Sequence, residues 1–501
     1  MMMPWWALAV FTFGANFTLW GLMGLARLVD EYRLARRPGR TLRLTHRMRR
    51  RLAERRWKIR QRRALRRELA GQQPPDSGPA DLDGTDLDDA AELGDVVVLR
   101  DDARVARARR LTVSDVAVLI AAHNESLVIQ DSLAAITALV PKENVHVVSD
   151  GSTDDTMELA AATGVHVMAT ERNLGKAGAL AEAIGRFRLA ERFAVVMLLD
   201  ADTRVQPRYF SSALPLFDNP KVVAVAGAVR TSRDRKFSAI GSLLTAHRTR
   251  IYALGQRLLK FGQTWSRVNA THIVPGFASM YRTEVLPHID INPVGLVIED
   301  FNMTFEVYQK RLGKVAFTLG AVAVTQDPDN LHDYYRQTRR WSLGLWQTVR
   351  RHGPRVNLFT LMVVLLLIEL ITSSLIFVTL PLVVAVLVTP DVYADAVSAP
   401  VFGQVYTVLA AHMNLPTLGI GVLVPDLVMT IVVVVVERRP AMLLFAPFFV
   451  FLRVLDAGIA LYTLPLAWLT KSDGRWRSPT RRATSDAEPV TQPVVAAADR
   501  A

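Results

Sequence analysis

None of the 501 residues is cysteine, which excludes disulfides and thiolate-held metals. Charge is missing from Trp5 to Ala26, a run of mainly apolar residues. At about 1.5 Å per residue, roughly 22 residues cross a hydrocarbon core of about 30 Å. The residues before this run contain no Lys or Arg, and a basic segment follows in place of a mature domain. Both features argue against a cleaved signal peptide, so residues 1–30 read as an uncleaved anchor. Acids are nearly missing from the next stretch. Residues 33–67 hold 17 Lys or Arg against the single acid Glu54. That local +16, set against +13 for the whole chain, leaves the remainder at −3. The basicity therefore belongs to an arm, residues 31–70, and not to a folded domain. Beside an anchor, such an arm suits anionic lipid headgroups better than nucleic acid, so the expected partner is the lipid bilayer and no nucleic acid is expected. By the positive-inside rule the arm places its side of the membrane in the cytoplasm.

The chain is too long for one ordinary domain, and half of it is hydrophobic. Residues 71–109 are rich in Asp, Gly and Pro, with ten acids between Gly71 and Asp102, and read as a flexible linker. Residues 110–352 alternate apolar runs with helix-like stretches, which predicts an α/β domain with a mainly parallel sheet. The predicted strands are Val116–Ala121, Val145–Ser149, Val165–Met168, Phe193–Leu199, Val222–Val229 and Val315–Leu319. The predicted helices are Ser126–Leu139, Asp154–Ala162 and Lys176–Phe187. Residues 353–470 turn apolar again. Leu358–Val388 carries one charge, Glu369, and Pro381 is a natural break. Leu418–Val436 is a second span. Ala441–Leu469 carries Arg453 and Asp456 and is bracketed by basic residues, so crossing and re-entry both stay open. Residues 471–501 read as a disordered tail.

Within the α/β domain, Phe193–Thr203 reads FAVVMLLDADT. A continuous apolar run suits a strand buried on both faces, and Asp200 and Asp202 then fall at its carboxyl edge, where open α/β sheets hold ligands. Two neighbouring acids repel, and a divalent cation with oxygen ligands would compensate them. The first predicted strand ends in AAHNES, with His123 and Glu125. The second ends in SDGSTDDT, which brings Asp150 to the same edge. In NLGKAGAL, Lys176 opens a helix against its dipole, which points to a nearby anion such as phosphate. PGFASMYRTEVL, with its small residues, could let a flat ligand approach the backbone. VIEDF sets Glu299 and Asp300 before a helix. In QTRRW, Gln337, Arg340 and Trp341 share one helical face, a donor fork beside an indole that suits a pyrophosphate and a sugar ring.

The order of these motifs resembles that of the family 2 glycosyltransferases, specifically the processive membrane polysaccharide synthases, over about Arg110 to Leu469. The family pattern is a PxYNE-like motif, a DG-S-DxT loop, DxD, TED and QxxRW. Here the motifs stand as AAHNE, SDGSTDDT, DAD, IED and QTRRW, with His123 in place of Tyr and Ile298 in place of Thr. The resemblance implies a GT-A-type domain between an N-terminal transmembrane helix and a C-terminal transmembrane region. Asp150 would hold the uridine of a UDP-sugar, with His123 and Glu125 near its base. Lys176 and Asp200 would help bind the nucleotide sugar. Asp202 would bind Mg²⁺ or Mn²⁺ on its diphosphate. Asp300 would be the general base, and Glu299, Gln337, Arg340 and Trp341 would hold the diphosphate and the acceptor sugar. One base without a protein nucleophile implies a single inverting displacement onto a growing polysaccharide at the plasma membrane, with export partners. Glu369 and Asp426 are candidates to line a polar path for the polymer. GFASMYR is more similar to the corresponding segment of poly-N-acetylglucosamine, chitin-oligosaccharide and hyaluronan synthases than to that of cellulose synthases, which favours UDP-N-acetylglucosamine over UDP-glucose. Transfer of one sugar to polyprenyl phosphate fits less well, because those enzymes generally lack QxxRW. A membrane-anchored nucleic-acid-binding protein would leave DAD, IED and QTRRW unexplained.

Overall fold

The computed structural model of the chain describes residues 4–36, 110–232 and 238–470. The arm beyond Arg36, the acidic linker and the tail lie outside the described residues. Two compact units divide the chain: Leu25–Arg109, and Met1–Gly24 together with Arg110–Ala501. Of the first unit only Leu25–Arg36 is described, a helical end with an Arg27–Glu31 ion pair at 2.9 Å one turn apart.

The second unit is built on a sheet of eight strands. They are β1 Val116–Ala122, β2 Val145–Asp150, β3 His166–Thr170, β4 Val195–Asp200, β5 Arg204–Val205, β6 Val222–Thr231, β7 Ala278–Arg282 and β8 Lys314–Thr325. Their order is β3-β2-β1-β4-β7-β6-β8-β5. β1 to β4 pair in parallel, and β6 pairs in parallel with β8. β7 runs antiparallel to β4 and β6, and β5 antiparallel to β8. The near-continuous apolar runs of β1 and β4 follow from burial on both faces. Val118, Ile120, Met197 and Leu199 face the helix Ile129–Thr137 through Leu133 and Ile136. Their odd and even neighbours Ala117, Leu119, Val196 and Leu198 face the helix Gly175–Arg186 through Ala179, Leu180 and Ala183. Period-two alternation thus feeds two cores at once. Register sets Ala121 beside Asp200 and Ala122 beside Ser149, so the strands bearing His123, Asp150 and Asp200 end along one edge.

Within PGFASMYRTEVL, Ala278–Arg282 is a strand, while Pro275, Gly276 and Phe277 line the cavity described below. Met280 and Tyr281 pack into opposite cores, because a strand inserted between β4 and β6 buries both of its faces. The last long strand runs to Thr325, well past Leu319, because it pairs with β6 and then with β5.

Three described helical stretches are long and apolar enough to cross a membrane: Leu358–Val392, Leu415–Glu437 and Pro440–Leu469. Pro381 does not break the first, which stays one helix of 35 residues. The apolar stretch predicted as an N-terminal anchor is not one continuous helix. It divides into helices Trp5–Phe13 and Ala15–Arg36 around Gly14, whose φ is +102°. The cause is Glu369. Its Oε2 accepts from the Asn16 backbone N–H (2.7 Å) and side-chain amide (3.0 Å), capping the second helix, and a Cβ at position 14 would collide with this carboxylate.

Candidate active site

A cavity of about 640 Å³ opens at the carboxyl edge of the sheet and continues between the apolar helices. Glu125, Lys176, Asp200, Asp202, Glu299, Asp300, Gln337, Arg340 and Trp341 line it, brought together from five segments of sequence. His123 and Asp150 do not line it. They form an adjoining niche in which His123 Nδ1 lies 2.6 Å from the Asp150 carbonyl oxygen. Gly151 takes φ +58° there, where a Cβ would press on the Asn173 backbone. The Asp150 carboxylate is fully buried. Oδ1 accepts from the Leu174 N–H (2.8 Å) and the Thr170 hydroxyl (2.9 Å), while Oδ2 has no partner. Burial pushes this carboxyl up, against those two hydrogen bonds. The backbone N–H of Glu125 donates to Thr156 Oγ1 at 2.8 Å, which ties the AAHNES turn to the DG loop.

Lys176 is the hub. Its Nζ lies 2.6 Å from Asp200 Oδ1 and 3.0 Å from Glu299 Oε1, and reaches the Gly276 carbonyl at 3.4 Å. The anion that draws this lysine to a helix start is therefore carboxylate, and Asp200 is compensated by an ammonium before any cation is invoked. Although burial disfavours the charge, Asp200 and Glu299 hold Lys176 well above the ordinary lysine range. Burial raises Asp200, opposed by Lys176. Glu299, 6 % exposed, would also be raised by burial, but Lys176, its own backbone N–H and Arg340 hold it below the usual range.

Asp300 goes the other way. Burial and the charge of Glu299 push its carboxyl up to about 7, despite Lys176 and two backbone donors. Those donors are the Phe301 N–H on Oδ1 (2.7 Å) and the Gly276 N–H on Oδ2 (3.3 Å). The helix Glu299–Gln309 has Ile298 at its N-cap, so Asp300 sits inside the first turn and is not the cap. A carboxyl that titrates near neutrality, next to one that stays ionised, suits proton abstraction.

Asp202, 8 % exposed, accepts from Thr203 Oγ1 at 3.1 Å. Among the described residues no three His or acidic side chains cluster as a metal site. An all-oxygen donor such as Asp202, facing a cavity that admits further oxygen ligands, nevertheless fits Mg²⁺ or Mn²⁺. Asp327 also lines the cavity, unannounced by any motif. Burial raises it to about 6, with Arg248 and the Tyr252 hydroxyl opposing and Asp202 adding.

Gln337, Arg340 and Trp341 share the cavity face of the helix Leu331–His352. Arg248, 2 % exposed, holds Gln337 and Trp341. Its Nη2 donates to Gln337 Oε1 (3.1 Å) and Thr338 Oγ1 (2.9 Å), and its guanidinium lies 4.5 Å from the Trp341 and Tyr334 ring centres. Nothing in the sequence announces Arg248. The only signal is HRTR, three basic groups on the otherwise apolar, largely buried helix Ala239–Leu254. Of the two candidate membrane acids, Asp426 lines the cavity and Glu369 does not.

Residues 114–344 match the family model described as glycosyltransferase like family 2. Poly-beta-1,6-N-acetyl-D-glucosamine synthase of Staphylococcus epidermidis (strain ATCC 35984) is 25% identical over 270 residues, 52% of this chain and 62% of the relative. The same-named protein of Staphylococcus aureus (strain COL) is 26% identical over 234 residues, 45% of this chain and 53% of the relative. The chain thus spans less than two thirds of either relative. Among solved structures, the mannosyltransferase PcManGT from Pyrobaculum calidifontis, in complex with GDP-Man and Mn²⁺, gives a TM-score of 0.42 at 15% identity, covering 70% of this chain and 87% of that one. With its mostly parallel sheet, the fold is GT-A-like, and its residues 114–344 match glycosyltransferase family 2.

Proposed function

We propose that this chain transfers a sugar from a UDP-sugar, with N-acetylglucosamine the favoured sugar, to the end of a β-linked polysaccharide, and that the product leaves between the apolar helices. The observation that carries the reading is Asp300. It is a half-buried carboxyl pushed up to about 7, in one cavity with the DAD acids and the Gln337–Arg340–Trp341 face. The unpartnered Asp150 Oδ2 suits a ring N–H of the uracil, with His123 beside it. Asp202 would hold Mg²⁺ or Mn²⁺, which when bound neutralises charge on the donor's diphosphate. Lys176 fixes Asp200 and Glu299, which leaves Asp300 beside them to change protonation. The acceptor hydroxyl oxygen forms a bond to the anomeric carbon as its proton passes to Asp300. The bond from that carbon to the UDP oxygen breaks with inversion, and Arg340 and Gln337 steady the diphosphate that leaves. Trp341 offers a ring face to the acceptor sugar.

The poly-N-acetylglucosamine synthases among the relatives support the choice of sugar, and the apolar helices support a multi-pass plasma-membrane protein. The arginines that follow the first helices support a cytoplasmic catalytic side. The test is to incubate the purified full chain, in lipid nanodiscs, with UDP-N-acetylglucosamine or UDP-glucose, with and without Mg²⁺ or Mn²⁺. A β-linked N-acetylglucosamine polymer formed only with metal is the expected product. A glucose polymer, or a single sugar on polyprenyl phosphate, would overturn the choice of donor or acceptor.

A further inference from the structure

We infer that Lys260 and His272 form a subsite, beside Asp300, for the carbonyl oxygen of an N-acetyl group on the acceptor sugar. The inference rests on the proposed function and names the acceptor that this site selects. Lys260 is 8 % exposed and closes the π-helical turn Gly255–Lys260. Such turns are rare and recur at functional sites, because the wider coil re-aims a side chain. Here it carries Lys260 to the cavity wall. Among the described residues the ammonium makes neither ion pair nor hydrogen bond, and its neighbour is the Phe317 ring, 5.9 Å away. Lys260 thus brings to the cavity wall a cation that no described residue pairs, and it can donate to an acceptor that enters the cavity. His272 lines the same cavity, and its Nδ1 is buried without a partner.

The surrounding charges choose the ligand. Burial lowers Lys260 to about 8, and the one carboxylate that offsets this is Asp300. Lys176 answers Asp200 and Glu299, so Lys260 serves the side of the site that belongs to the base and hence to the acceptor hydroxyl. Burial, and then the charge of Lys260, lower His272 to about 3, so its ring is neutral at physiological pH. An ammonium donates and cannot accept, so its partner is an oxygen acceptor. A sugar carboxylate or phosphate would lie against Asp300 and Glu299 and be repelled. The strongest uncharged acceptor on an amino sugar is its amide carbonyl.

The experiment compares the wild-type chain with Lys260→Met in nanodiscs. UDP-N-acetylglucosamine is the donor, and oligomers of N-acetylglucosamine or of glucosamine are the acceptors. Loss of a hydrogen bond to a charged group should raise the KM of the acetylated acceptor about 10- to 100-fold. The KM of the deacetylated acceptor and the affinity for UDP should stay near wild type. Thermal stability should stay near wild type, because among the described residues the replaced ammonium makes no contact that holds the fold. His272→Phe should move the acetylated KM in the same direction. An unchanged KM, equal rises for both acceptors, a parallel loss of UDP affinity, or a fall in Tm would each overturn the subsite. Absence of turnover by the wild-type chain with this donor would overturn the donor reading and the inference with it. Wild-type turnover indifferent to acetylation would overturn the inference alone.

Discussion

The cavity has two charged ends, and they are built differently. At the membrane end every acid is matched. Asp426 Oδ1 lies 2.5 Å from Arg250 Nη2 and 3.0 Å from Arg453 Nη1. Asp456 takes the Tyr334 hydroxyl at 2.7 Å and lies 3.0 Å from His247 Nε2. At the sheet end four carboxylates, Asp200, Asp202, Glu299 and Asp300, line the cavity, and Lys176 pairs with Asp200 and Glu299, with Arg340 assisting at Glu299. Matched charges fix where helices sit. A surplus of carboxylates leaves one of them poised to take up a proton, and that one is Asp300.

Asp300→Asn separates the two ends most sharply. It removes the proton acceptor and keeps the shape, so turnover should fall by about 10²- to 10⁴-fold while metal-dependent UDP binding persists. It should also stabilise the protein at alkaline pH. A carboxyl whose folded pKa is raised to about 7 favours the fold while protonated, and that contribution is lost as pH rises from its ordinary value through about 7. The Tm gain of the variant should therefore be largest near pH 8 and vanish at low pH, as differential scanning calorimetry can record.

Asp426→Ala attacks the matched end. Two guanidiniums lose their carboxylate, and breaking a buried pair costs about 3–5 kcal/mol. Unfolding in nanodiscs should reveal that loss, with UDP affinity kept in whatever protein remains folded. A stable but inactive variant would instead give Asp426 a part in handling the polymer. Asp202→Asn should weaken Mg²⁺- or Mn²⁺-dependent UDP binding by at least the roughly 10- to 100-fold that loss of an outer-shell partner of a metal ligand costs. Titration of UDP with and without metal checks it, and unchanged metal dependence would move the cation elsewhere. The smallest effect is that of Trp341→Ala. Removing a ring interaction worth about 0.5–1.5 kcal/mol beyond area burial should raise the acceptor KM several-fold and leave UDP binding alone. Equal loss of both would make Trp341 a support for Arg248.

The sheet end was legible in the sequence because its chemistry is local. Buried strands ending in Asp150 and Asp200 are visible as apolar runs that stop at an acid, and Gln337, Arg340 and Trp341 share a face by helical spacing alone. The membrane end was not legible, because its meaning is in pairing. Arg250 and Asp426 are 176 residues apart, and neither segment carries a motif. The same holds for Lys176, whose position at a helix start indicated an anion without saying that the protein supplies it. Gly14 became a break only through Glu369, 353 residues from its hydrogen-bond partner Asn16. β7 was missed because Ser279 and Arg282 interrupt its apolar character. The structure satisfies both, Ser279 on the Pro275 carbonyl and Arg282 on the Val222 and Phe217 carbonyls.

The most direct test of Asp300 as the poised group at the unmatched end is the pH dependence of sugar transfer, from about pH 5.5 to about pH 8.5, in wild type and in Asp300→Asn. A base must be deprotonated to act, so wild-type turnover should climb with pH through a midpoint close to 7, and the residual turnover of the variant should lack that limb. A flat wild-type profile, or the same limb surviving in Asp300→Asn, would contradict the assignment.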